Sequence, residues 1–192
     1  QKSVQLDPQD AGAHYNLGIT LQELGRLEDA EASYRQTISL KSDLAEVHHN
    51  LGVILQEQGR FKEAEASYRQ TITLKPDLAQ AHHSLGNVMI KQGKLKEAEA
   101  SYRQTISLNP NLAKAHNNLG IIMKKQGRLE EAEASYRQAI KFKPDLAEAH
   151  SNLGAIMREL GKLEEACSAF IQAINLKPNF TDAYANFAIA IK

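Results

Sequence analysis

Displaced by 34 residues, the chain falls onto itself, and that period limits the available folds more than any other property of the sequence. The string A-E-A-S-Y-R-Q starts at Ala30, Ala64, Ala98 and Ala132. Leu-Gly pairs recur at Leu17-Gly18, Leu51-Gly52, Leu85-Gly86, Leu119-Gly120 and Leu153-Gly154, and a second glycine series runs Gly25, Gly59, Gly93, Gly127, Gly161. All five prolines (Pro8, Pro76, Pro110, Pro144 and Pro178) hold one repeat position, from which Ser42 is the departure. Residues 45–78 and 113–146 are identical at 22 of 34 positions, far beyond coincidence.

Each period reads as two amphipathic helices. In the second, Asp43 is expected to cap the first helix, with Glu46 completing a capping box. Leu44, Val47, Leu51, Ile54 and Leu55 follow at helical spacing, and Gly59 stands where a left-handed C-terminal cap is needed. The second helix opens on Glu63 and Glu65 and closes on Lys75, both suited to the helix dipole, and Pro76 ends it. No alternating β-branched stretch predicts a strand. A lone helix pair cannot bury its apolar face, so the periods must stack, each stabilised by its neighbours. Ala30, Ala64, Ala98, Ala132 and Ala166, with the glycine of each Leu-Gly pair, are small enough for close helix approach, and Tyr34, Tyr68, Tyr102, Tyr136 and Phe170 are the large partners.

In the second period, His48, Leu51, Gly52, Leu55, Ala64, Tyr68 and Pro76 stand at the places of the pattern W-x2-L-G-x2-Y…A-x3-F…P. The sequence therefore resembles the tetratricopeptide repeat, with histidine replacing the tryptophan and leucine or methionine replacing the first tyrosine. The resemblance implies an all-α solenoid, a right-handed superhelix with a concave groove, over the whole of 1–192. Full repeats are expected at 11–44, 45–78, 79–112, 113–146 and 147–180. Residues 1–10, with Val4, Leu6 and Pro8 in register, match the end of a preceding repeat, and 181–192 match a further first helix. Phe187, Ile189 and Ile191 would then face solvent, and the array is expected to be a segment of a longer chain. The form A-H-x-N-L-G is similar to repeats that precede the catalytic domain of O-GlcNAc transferases.

In such a solenoid the first helices line the concave face, with repeat positions two, five, six, nine, twelve and thirteen pointing inward. Position six carries Asn16, Asn50, Ser84, Asn118, Asn152 and Asn186. A carboxamide both donates and accepts, so a series of them could hold an extended peptide backbone without reading its side chains. The resemblance to O-GlcNAc transferase repeats implies such a ladder; the alternative is that these amides bond across adjacent helices. Around them lie His49, His83 and Asn117 at position five, Asn87 at position nine, and Lys91, Lys124 and Lys125 at positions twelve and thirteen. The third and fourth repeats are locally basic and the first two acidic, so a partner with an acidic stretch is expected over the lysines. Position five is never lysine, which disfavours a clamp for a terminal carboxylate.

Other functions find little support. Lys plus Arg (23) equals Asp plus Glu (23), so no global field draws in nucleic acid or an anionic membrane. No apolar run approaches a membrane span. Cys167 is the single cysteine, which rules out an internal disulfide framework and favours a reducing, cytoplasmic setting. His14, His48, His82, His116 and His150 recur once per repeat, in successive helices rather than around one ion, so packing and not metal binding is expected. No nucleophile elbow, phosphate loop or zinc-protease motif occurs, so neither catalytic residue nor cofactor is expected. The reading that results is a scaffold holding an extended segment of a partner protein, with self-association through exposed repeat ends in view. The alternative is the substrate-targeting arm of a larger modifying enzyme.

Overall fold

The computed structural model describes residues 9–190. Among these residues there are eleven α-helices and no strand. Each expected repeat supplies two: α1 (Ala11–Glu23) and α2 (Leu27–Leu40), α3 (Ala45–Glu57) and α4 (Phe61–Leu74), α5 (Ala79–Lys91) and α6 (Leu95–Leu108). Then follow α7 (Ala113–Lys125) and α8 (Leu129–Phe142), α9 (Ala147–Glu159) and α10 (Leu163–Leu176), and finally α11 (Thr181–Ala190). The chain divides into two compact units, residues 1–101 and 102–192. The expected repeat end over 1–8 and the expectation for Ile191 lie outside the described residues.

Within each unit the helices pack antiparallel in pairs, and each second helix also packs on the next first helix, as α2 does on α3 and α8 on α9. In the first, second, fourth and fifth repeats the packing rests on one large-to-small contact. A methyl added at Gly18 would lie 2.5 Å from the Tyr34 ring, and one at Gly154 would lie 2.7 Å from Phe170. Only a bare helix backbone lets the ring seat there, which accounts for the recurring Leu-Gly pair. Tyr34, Tyr102, Tyr136 and Phe170 are fully buried, as are Ala30, Ala64, Ala98, Ala132 and Ala166. Gly59 leaves its helix at φ 75°, the left-handed cap that the sequence calls for.

The capping expectation is corrected. Asp43 does not cap α3: the N-cap is Leu44, with no side-chain hydrogen bond. The same place is taken by Leu78, Leu112 and Leu146, of which Leu146 is buried, so apolar burial outweighs a polar cap there. Asp10 alone holds that place with an acid, and it accepts from the Ala13 amide at 3.0 Å.

From the second period to the fifth, the histidine ties its helix to the preceding turn. Nε2 meets the carbonyl oxygen of residue i−6 at 2.9 Å in His48 (Ser42) and His82 (Pro76), and at 2.8 Å in His116 (Pro110) and His150 (Pro144). Histidine thus replaces the packing tryptophan with a hydrogen-bonded strut.

The second helices carry an ionic seam. Arg35 pairs with Glu31 of its own helix at 2.8 Å and with Glu63 of the next repeat at 3.1 Å, while Arg60 reaches back to Glu31 at 2.6 Å. The motif recurs in Arg69–Glu65, Arg69–Glu97 and Lys94–Glu65, and in Arg137–Glu133, Arg137–Glu165 and Lys162–Glu133. In the fifth repeat Cys167 and Ile171 take the places of the glutamate and the arginine. Tyr184 and Ile189 of α11 are exposed, whereas Phe187 is half-buried.

Candidate functional site

In the first unit, α1, α3 and α5 form one layer and α2 and α4 the other. The position-six amide of Asn50 donates through Nδ2 to the Tyr15 hydroxyl at 3.4 Å, and Ser84 Oγ lies 3.5 Å from His49 Nε2. The tyrosines packed beneath have hydroxyls that reach this face. Tyr34 donates to Gln22 Oε1 at 2.8 Å and Tyr68 to Gln56 Oε1 at 3.2 Å. Above Tyr34, Ile19, Gln22, Glu23, Asn50 and Glu57 line a cavity of about 470 Å³. Glu23 and Glu57 are exposed and make no ion pair among the described residues. Burial pushes the Tyr34 phenol up to about 12, helped by Tyr15 and Glu23 against a hydrogen bond from Asn50. Tyr68 rises to about 12, again chiefly by burial. Burial lowers the His49 pKa, with Asn50 opposing.

The remaining candidates of this unit divide. Asn16 is exposed and Lys91 stands exposed at the end of α5. His83 is buried, and Asn87 Nδ2 lies 3.5 Å from its Nδ1.

The second unit presents α7, α9 and α11. Asn118 Nδ2 donates to the Tyr102 hydroxyl at 3.3 Å, and Asn152 Nδ2 to Asn117 Oδ1 at 3.0 Å. Asn117 is therefore buried between helices, with Nδ2 3.5 Å from Asn118 Oδ1. Asn186 Oδ1 accepts from Arg158 at 3.3 Å. A cavity of about 370 Å³ includes Lys124, Ser151, Asn152, Arg158, Asp182 and Asn186 among its lining. Lys124 Nζ pairs with Glu159 at 2.9 Å, whereas Lys125 is exposed and makes no ion pair among the described residues.

Asparagines 50, 118 and 152 thus bridge to neighbouring side chains, as the alternative reading of position six anticipates. The bonds of Asn50 to Tyr15 and of Asn118 to Tyr102, at 3.4 and 3.3 Å, are long for N–H···O contacts. Sequence reasoning missed the tyrosine hydroxyls, which it treated as ring volume only. The available signal was that four of the five ring positions are Tyr rather than Phe, above glutamine at position twelve in the first two repeats.

Among the described residues, no group of three or more His, Cys, Asp and Glu could hold a metal, and no helix is long and apolar enough to cross a membrane.

Comparisons bear on the fold. Family profiles described as "Tetratricopeptide repeat" match residues 9–76 and 147–180, and one described as "TPR repeat" matches 86–127 and 122–160. The solved structure of YrrB, described as a TPR protein with an unusual peptide-binding site, is 23% identical, with a TM-score of 0.79 over 96% of this chain and 95% of its own. MamA (41-end) from Desulfovibrio magneticus RS-1 is 19% identical, with a TM-score of 0.82 over 92% and 99%. The thermophilic TPR protein TTC0263 of Thermus thermophilus is 22% identical, with a TM-score of 0.69 over 95% and 99%. No curated protein matches at the level of sequence.

Proposed function

Since the chain belongs to the tetratricopeptide repeat family, we propose that it is a protein-interaction scaffold whose first-helix faces hold an extended segment of a partner. The observation that carries the reading is the position-six amide series. Asn50 and Asn118 lie half-buried on this face, held by bonds at 3.4 and 3.3 Å that a peptide unit can replace with shorter ones. Amides so placed recognise backbone and leave side-chain preference to the charges around them. Those charges are Glu23 and Glu57 in the first unit and Lys124, Lys125 and Arg158 in the second. An acidic stretch of the partner suits the second unit. The peptide-binding description of YrrB, which has the same fold, supports this use of the scaffold.

The test is a triple variant, Asn50→Ala, Asn118→Ala and Asn152→Ala. Peptides enriched from a random library on the wild-type protein should lose at least roughly tenfold in affinity, as expected when hydrogen bonds to buried polar groups are forfeited. Circular dichroism should show little loss of helix. Unchanged peptide affinity would sink the reading, and a collapsed melt would make the amides structural.

A second reading, a substrate-targeting arm joined to a modifying enzyme, is favoured by asparagine at five of the six position-six sites. A catalytic sequence in the full-length gene would decide for it.

A further inference from the structure

Tyr136 is fully buried, yet its hydroxyl has no hydrogen-bond partner among the described residues. Two residues account for this: Asn152, whose counterpart Asn118 donates to the Tyr102 hydroxyl at 3.3 Å, is turned to Asn117, and Lys124 stands where the first unit has a glutamine. Tyr34 and Tyr68 donate to Gln22 and Gln56, twelve residues earlier, and the residue twelve before Tyr136 is Lys124. An ammonium group cannot accept a hydrogen bond, and Lys124 is turned to Glu159 at 2.9 Å. At the repeat position where the first unit supplies a carbonyl oxygen to its tyrosines, the second unit therefore has a lysine. A buried donor without an acceptor is costly unless something supplies one.

We propose that the second unit carries a carboxylate-binding subsite, in which an Asp or Glu side chain of the partner segment accepts from the Tyr136 hydroxyl and pairs with Lys124. The proposal rests on the groove reading above and names the ligand chemistry of one part of it. The route in is the Lys124–Glu159 pair, both members of which are 36% exposed. An incoming carboxylate takes the place of Glu159 at Lys124, so one ion pair is exchanged for another. The phenol then gains the acceptor it lacks. Lys125, exposed and without an ion pair among the described residues, and Arg158 favour a second acid nearby. Burial, with Glu159 adding to it, raises the Tyr136 pKa, so the group stays a neutral donor at physiological pH.

The experiment titrates fluorescein-labelled hexaglutamate into the protein and reads anisotropy, with hexalysine as the charge control. Wild type should bind hexaglutamate, and Tyr136→Phe should bind it roughly tenfold more weakly, the fold-change of one charge-assisted hydrogen bond. That variant should melt no lower than wild type, because Phe170 already occupies the equivalent seat against Gly154. Lys124→Gln should also lose affinity while raising the melting temperature, since it restores the internal acceptor. On binding, the ring resonances of Tyr136 should shift in spectra of tyrosine-labelled protein.

Equal affinity of wild type and Tyr136→Phe overturns the subsite. If hexaglutamate binding is nonetheless lost in Asn118→Ala with Asn152→Ala, the groove reading survives that failure. No hexaglutamate binding by wild type, with library peptides still bound, likewise removes the subsite alone.

Discussion

The same architectural place is built twice with opposite character. In the first unit it consists of Gln22, Glu23, Tyr34, Asn50 and Glu57, with the phenol satisfied at 2.8 Å and two carboxylates facing solvent. In the second unit the corresponding residues are Lys124, Lys125, Tyr136, Asn152 and Glu159, with the phenol orphaned and the charge reversed. The ring, the glycine beneath it and the asparagine beside it do not change. The repeat thus separates two tasks: positions that touch the neighbouring helix backbone are held constant, and positions twelve and thirteen are free to set chemistry. Gln-to-Lys alters both charge and hydrogen bonding in a single step.

The largest effect should come from what the units share. Tyr68→Ala in the first unit and Phe170→Ala in the second should each cost about 3–5 kcal/mol in urea unfolding, because both leave a ring-sized hole against a glycine. Unequal losses would break the claim that the packing is common to both.

The next test turns the first unit into the second. Gln22→Lys should leave the Tyr34 hydroxyl without its acceptor and destabilise by about 1–3 kcal/mol. Adding Tyr34→Phe to that variant should recover most of the loss. If the double variant is no more stable than the single, the phenol is not the source of the cost.

A smaller effect concerns acid. Burial works to raise the Glu65 pKa, but hydrogen bonds from Lys94, Arg69 and Gln92 outweigh it and hold the carboxylate at about 2, against 4.5 for the free group. A depressed carboxylate stabilises the folded state above its unfolded pKa, and that contribution is lost as pH falls from about 4.5 toward 2. Urea midpoints measured over this range should fall less steeply in Glu65→Gln than in wild type.

Much of the fold was legible because a period of this kind states each structural demand several times. Tyr34 opposite Gly18 is ambiguous alone, but the pairing repeated through Phe170 opposite Gly154 identifies a contact. Helix ends were read well where the chemistry is backbone-driven, as at Gly59 and Pro76. They were misread at Asp43, because a side chain's wish to cap does not reveal that Leu44 has a better use for the same position. The site was less legible. Which amides face outward depends on how first helices pack on one another, and His83 and Asn117 are buried by contacts that no single repeat encodes. The bonds from Asn152 to Asn117 and from Asn50 to Tyr15 each span 35 residues, one more than the period, so they belong to the stacking rather than to the repeat.

The seam along the second helices has a mechanical consequence. Arg35 grips Glu31 and Glu63 at once, so twisting one repeat against the next inside the first unit stretches ionic contacts, whereas Tyr68 on Gly52 locks the two helices within one repeat. The two act as springs of different kinds. The ring against backbone is stiff, dry and indifferent to the medium. The ion pairs are soft and half in water, and mobile ions relax them over a Debye length of about 10 Å at 0.1 M. Dissolved salt therefore sets the compliance of the stack, loosening its bending without melting a helix.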